Sequence, residues 1–171
     1  MKKIGLLSDT HGYLDPKVFT LFAECDEIWH AGDWGDEKVS KDLSAFKTLR
    51  GVFGNIDGTP IRILHPQDLI FDCEGMKVFI THIGGYPGNY FPEAYKKINI
   101  HKPDLFICGH SHILKVIPDK KNNLLHMNPG AAGKHGFHKI RTMLRFHIDN
   151  GKIGGLEAIE LGLRGTIEGR E

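Results

Sequence analysis

Residues 105–112 read LFICGHSH: four apolar positions, Leu105 to Cys108, then a glycine, then His110 and His112 separated by one serine. An apolar run of that length stopping at a glycine predicts a buried strand that ends at Gly109. On extended backbone, side chains at i and i+2 point the same way, with Cα atoms roughly 6–7 Å apart. Two imidazoles at the end of one strand can therefore serve one site, provided that other segments bring partners to it.

Working outward, the chain alternates strands and helices. KKIGLLS is a short apolar strand ending at Asp9-Thr10-His11-Gly12, and Asp15-Pro16 supplies a cap and a first-turn proline for a helix to about Ala23. EIWHAGD is a second strand that stops at Gly32, a helix follows over about 36–45, and a third strand near 48–53 stops at Gly54-Asn55. DLIFDC and MKVFITH form a hairpin across Glu74-Gly75. A glycine-rich loop over 83–92 leads to a helix near 93–99 and then to the strand at 105–108. Beyond it the pattern is β throughout: ILKVIP with LLHMN, then RTMLRFHI with IGGLEAIEL across Asn150-Gly151. The predicted class is α/β.

Composition narrows the function. The chain has 171 residues with 40% hydrophobic content, enough for one soluble domain, which we place at 1–164. Lys plus Arg number 22 against 21 acidic residues, so no general positive field suggests dedicated nucleic-acid binding. Cys25, Cys73 and Cys108 are widely spaced in apolar surroundings, which predicts buried, reduced thiols and a cytoplasmic protein. The apolar run at Ile4 to Leu7 is too short for a signal peptide or a membrane span. Residues 165–171 form a polar tail, in which IEGR reads either as a cloning and protease-site scar or as a native terminus. Eleven histidines are an excess that asks for a metal or a proton task.

Polar residues able to bind metal follow strand after strand: Asp9 and His11, Asp33, Asn55, His82, then His110 and His112. Each has an ordinary reading on its own, as a turn residue, a helix cap or a satisfied histidine. Five strand ends carrying an oxygen or imidazole ligand are not what independent turns produce. Loops beyond the carboxyl ends of strands are where α/β sheets gather ligands.

In chain order, DTHG at 9–12, GD at 32–33, GN at 54–55, TH at 81–82 and GHSH at 109–112 resemble the five signature blocks of the calcineurin-like metallophosphoesterases. NPGA at 128–131 is similar to a later turn of the small bacterial and archaeal phosphodiesterase branch, which is related to the retromer scaffold subunit. The resemblance implies a two-sheet β-sandwich flanked by helices, in four layers, with a dinuclear metal site at its edge. It assigns Asp9, His11 and His112 to one divalent ion, Asn55, His82 and His110 to a second, and Asp33 to both. Asp33, Asn55 and His82 are the catalytic candidates, positioning the ions and a bridging hydroxide for in-line attack on the phosphorus of a small phosphoester. Oxygen and imidazole ligands without thiolate suit Mn²⁺, Fe, Zn²⁺ or Ni²⁺, and affinity alone does not choose among them; Mn²⁺ is taken as the first candidate.

Two departures refine this expectation. Where many phosphomonoesterases of the superfamily carry a histidine directly after the third-block asparagine, this chain has Ile56, so the general acid for the leaving group is missing. Ala131 stands where the branch carries a serine. Asp57, His135 and His138 are candidates for substrate contact, with a solvated loop as the alternative for the two histidines. His30 reads as a packed or supporting residue, and 86–91 as either a pocket wall or an interface. A homo-oligomer is compatible with the sequence, and so is a non-catalytic scaffold that kept the same fold.

Overall fold

The computed structural model describes residues 1–165. The tail placed at 165–171 therefore falls, from 166 onward, outside the described residues. In chain order the elements are β1 (Lys2–Leu7), α1 (Lys17–Leu21), β2 (Glu27–His30), α2 (Glu37–Phe46), β3 (Thr48–Gly51), α3 (Thr59–Leu64), β4 (Asp68–Cys73) and β5 (Met76–Thr81). These are followed by β6 (Gly85–Tyr86), β7 (Asn89–Tyr90), α4 (Pro92–His101), β8 (Leu105–Ile107), β9 (Leu114–Asp119), β10 (Leu124–Pro129), β11 (Ile140–Asp149) and β12 (Lys152–Leu163).

Two five-stranded sheets result, ordered β12-β11-β1-β2-β3 and β4-β5-β8-β10-β9. Each contains a parallel trio: β1, β2 and β3 in the first, and β5, β8 and β10 in the second. Alternation on the pleat sorts the side chains into layers. Ile4, Leu6 and Trp29 of the first sheet meet Val78, Ile80, Leu105 and Ile107 of the second in one buried core. Leu7 and Ile28 point to the opposite face, where Val18 of α1, Val39 and Leu43 of α2 and Ile61 of α3 cover them. Phe79, Phe106 and Cys108 face Ala94 and Ile98 of α4 on the outer side of the second sheet. The layers are helix, sheet, sheet, helix, as the resemblance implies.

Three local features explain how so short a chain holds its loops. Asp15 accepts the Lys17 amide at 2.9 Å and the Arg141 Nη1 donor at 2.7 Å, tying the loop after β1 to β11. Burial raises the Asp15 carboxyl, but the Arg141 guanidinium and the Lys17 amide outweigh it and hold the group below its ordinary value. All three cysteines are free and buried. His126, on β10, is packed against the Phe106 ring at 5.4 Å, and burial pushes its imidazole down to about 4, so it is a neutral core residue. Among the described residues no helix is long and apolar enough to cross a membrane.

Candidate metal centre

Because the two trios run parallel, the loops after β1, β2, β3, β5 and β8 leave the sandwich at neighbouring carboxyl ends. Those loops carry Asp9 and His11, Asp33, Asn55, His82, and His110 with His112. The backbone there is unusual. Among the described residues nine non-glycine positions have positive φ, and five of them are Asp9, His11, Asp33, His110 and His112. Left-handed conformation is costly for residues with a Cβ, and it collects where side chains must be aimed rather than relaxed.

The glycines before Asn55 and His110 have a steric reason. A Cβ on Gly54 would lie 2.0 Å from Asp33 Oδ1, and one on Gly109 would lie 2.2 Å from Ser8 Oγ and 2.7 Å from Asp9 Oδ2. Only glycine lets the third and fifth loops close onto the two carboxylates.

Two clusters emerge. The candidate ligand atoms of Asp9, His11 and His112 lie within 4.8 Å of one another, and so do those of Asp33, His82 and His110. They adjoin: Asp33 Oδ2 lies 3.4 Å from His11 Nε2 and 3.2 Å from His82 Nε2. Asn55 joins the second cluster, its Oδ1 being 3.1 Å from His110 Nδ1. All seven residues singled out in the sequence thus face one locus.

Each carboxylate is held by one oxygen and offers the other. Asp9 Oδ2 accepts the Ser8 hydroxyl at 2.6 Å and the His110 amide at 3.1 Å, while Asp9 Oδ1 has no hydrogen-bond partner. Asp33 Oδ1 accepts the Ile56 amide at 3.1 Å, leaving Oδ2 to face the imidazoles. The histidines follow the same rule. His82 donates Nδ1–H to the Ala31 carbonyl at 2.7 Å, so its bare Nε2 points inward, and neither that atom nor His11 Nε2 is hydrogen-bonded. Buried polar atoms are normally satisfied. Here three orphans, Asp9 Oδ1, His11 Nε2 and His82 Nε2, converge without aiming at one another, as atoms do that share a cation.

Electrostatics agree. Burial pushes the Asp9 carboxyl up, but the imidazoles of His11 and His112, the charge of His82 and the Ser8 hydroxyl more than offset it and hold the group well below the carboxylate range. For His82 burial works downward, and the carboxylates of Asp33 and Asp9 overcome it to raise the group. Two buried carboxylates call for positive charge beside them. The donor set of carboxylate and amide oxygens with neutral imidazoles, and no thiolate, fits divalent transition ions.

The remaining candidates are distributed differently. Asp57 is buried, and its carboxylate accepts the amides of Trp34 at 3.2 Å, Gly35 at 3.0 Å and Gly54 at 2.8 Å. It ties the second loop to the third, and these three bonds and its burial make it a support of both loops rather than an exposed contact for substrate. His138 also differs from expectation: its Nε2–H donates to the Gly133 carbonyl at 2.8 Å, so Nδ1 is an acceptor for His112 Nδ1–H at 3.2 Å. That bond leaves His112 Nε2 bare, 3.2 Å from Asp9 Oδ1. His135 is exposed, with its ring 4.9 Å from that of His11, and stays at the rim of the site. His30 is fully buried, stacked 3.7 Å from Trp34, with the other face of Trp34 4.2 Å from His65. The sequence marks His30 as a packed or supporting residue, but not the His-Trp-His stack in which it lies.

The arrangement of His138 carries a prediction. Loss of a partner that fixes the tautomer of a ligating imidazole costs about 10–100-fold in metal affinity. His138→Ala is expected to weaken Mn²⁺ binding by that factor in calorimetric titration, whereas His138→Asn, which keeps an acceptor near the Nδ1 position, is expected to lose much less. Equal affinity in wild type and His138→Ala would show that His112 needs no such help.

Residues 1–151 match the calcineurin-like phosphoesterase superfamily domain. A probable metallophosphoesterase of Mycoplasma pneumoniae is 27% identical over 162 residues, covering 91% of this chain and 96% of that protein. Among solved structures, an archaeal phosphodiesterase superposes with a TM-score of 0.71 at 21% identity, covering 93% of this chain and 99% of that one. Chaetomium thermophilum Vps29 does so with a TM-score of 0.73 at 15% identity, covering 95% and 100%. With the family match spanning most of the chain and the fold shared, the protein belongs to the calcineurin-like phosphoesterase superfamily.

Proposed function

We propose that the protein is a dinuclear metal-dependent phosphodiesterase. The observation that carries this reading is the convergence of three buried, unpartnered ligand atoms, Asp9 Oδ1, His11 Nε2 and His82 Nε2, at the edge of the sandwich. Asp9, His11 and His112 would hold one ion, Asn55, His82 and His110 the other, with Asp33 between them. When bound, two divalent ions acidify water and neutralise charge on phosphoryl oxygens. Mn²⁺ is the first candidate, and Fe, Zn²⁺ and Ni²⁺ have compatible ligand chemistry.

The chain's own residues do the rest. The hydrogen bonds to Ala31, Ile56 and Ser8 fix which atom of His82, Asp33 and Asp9 faces the centre, so little reorganisation is needed when substrate arrives. Ile56 projects no proton donor where a leaving group would depart, and it is 48% exposed. The departing group must then carry its own charge. General acid catalysis is worth about 10²–10⁴-fold, so esters with good leaving groups lose least by its absence and alkyl esters lose most.

The test is turnover of bis(p-nitrophenyl) phosphate against a simple alkyl monoester, with Mn²⁺ and after chelation. Metal-dependent hydrolysis of the aryl diester, with the alkyl monoester slower by about 10²-fold or more, is the expected result. Faster turnover of the alkyl monoester would contradict the diesterase reading. A scaffold that kept the fold is the rival reading, to which the likeness to Vps29 lends support. It would bind partners and hydrolyse neither ester.

A further inference from the structure

Two cavities border the second ligand cluster. One, of about 270 Å³, is lined by Asn55 and His82 and reaches Arg62 and Lys97. The other, of about 330 Å³, opens at His110 and lies against the β6–β7 hairpin. Ile83 and Phe91 belong to the walls of both, so they form a ridge between two clefts that start from the same cluster.

The walls differ in chemistry. In the first cleft the cations Arg62 and Lys97 are matched by Asp68 and Glu93, and Lys97 is paired with Asp68. The second is aromatic, with Tyr86, Tyr90 and Phe91 lining it beside one cation, Lys115. Tyr86 and Phe91 keep 41% and 47% of their surface in solvent. Lys115 Nζ sits 3.5 Å from the Tyr86 ring centroid, and among the described residues it forms no ion pair. The wall is braced from behind, since the Tyr90 hydroxyl donates to Asp119 at 2.6 Å and its ring packs edge-on against Phe106 at 5.6 Å.

A ligand class follows from this geometry. A phosphodiester held at the metal cluster sends two ester arms away from one phosphorus, and a ridge with a cleft on either side accommodates diverging arms. Lys115 covers one face of the Tyr86 ring, and the exposed surface that Tyr86 and Phe91 keep suits a flat ring carried by an anion, because stacking and burial reward the ring while the cation favours the phosphate. We propose that the cleft of Tyr86 and Lys115 binds an aryl or nucleobase arm of an acyclic phosphodiester, with the second arm across the Ile83–Phe91 ridge. This rests on the phosphoesterase reading and names the substrate class for it.

Calorimetric binding to the Mn²⁺-loaded protein tests the proposal without requiring turnover. The probes are methyl phenyl phosphate and dimethyl phosphate, which differ only in the ring. The phenyl ester is expected to bind about tenfold more tightly to wild type, the scale of one aromatic stacking contact. In Tyr86→Ala that ratio is expected to fall towards one, and Tyr86→Phe, which keeps the ring, is expected to restore it. Lys115→Ala, which removes the cation that favours the phosphate, is expected to weaken both esters and to leave their ratio nearer the wild-type value than Tyr86→Ala does. A wild-type ratio near one, a ratio unchanged in Tyr86→Ala, or binding of neither probe overturns the proposal. Failure of the phosphoesterase reading is read separately, as absence of bis(p-nitrophenyl) phosphate turnover in protein that still shows the phenyl preference.

Discussion

Asp33→Asn is expected to abolish metal-dependent hydrolysis while leaving the fold intact. Asp33 brings one oxygen to imidazoles of both clusters, His11 at 3.4 Å and His82 at 3.2 Å, closer than Asp9 Oδ1 at 3.8 Å from each, and its other oxygen holds the Ile56 amide. An asparagine keeps the acceptor for that amide but removes the negative charge and the second anionic oxygen. Loss of an outer-shell partner already costs about 10–100-fold in metal affinity or activity, and loss of the shared ligand should exceed the upper figure. Circular dichroism and thermal melting should match wild type, because the retained oxygen still satisfies the third loop. Wild-type turnover in this variant would remove the shared-ligand arrangement.

The second large effect lies at a residue that touches no ligand position directly. Asp57→Ala leaves the amides of Trp34, Gly35 and Gly54 without their acceptor. An unsatisfied buried donor costs about 1–3 kcal/mol, and the Trp34 and Gly54 amides are buried, so the loss amounts to about 2 kcal/mol or more. For a chain of this size that corresponds to a fall of about 4–8 °C in Tm. The same substitution should weaken metal binding, because Gly54 precedes Asn55 and Trp34 follows Asp33. Asp57→Asn retains one acceptor oxygen and should fall between the two in both measurements. A melting temperature and a metal affinity equal to wild type would mean that the loops hold themselves.

These two residues mark what could and could not be read from the letters. Asp33 was legible because it follows an apolar strand and a glycine, and because four further strand ends repeat the pattern. Asp57 was not, since a carboxylate that caps three amides from two other loops looks, in one dimension, like any aspartate near a turn. His138 was opaque for the same reason: its role depends on a carbonyl five residues back and an imidazole twenty-six residues back. The two sheets emerged well, with β3 shorter than expected at Thr48–Gly51 and β12 longer at Lys152–Leu163. Helix α3, only six residues over Thr59–Leu64, lacks room for a helical period, although Pro60 in its first turn was a readable signal. The β6–β7 hairpin hid in a glycine-rich stretch because each arm is two residues long, too short for alternation to register.

The central claim is that seven side chains from five loops cage a pair of cations, and anomalous diffraction from crystals grown with Mn²⁺ tests it most directly. The expected result is two peaks per chain, one among Asp9, His11 and His112 and one among Asn55, His82 and His110, with Asp33 reaching both. A map with no peak at these residues, or with its peaks elsewhere on the molecule, would contradict it.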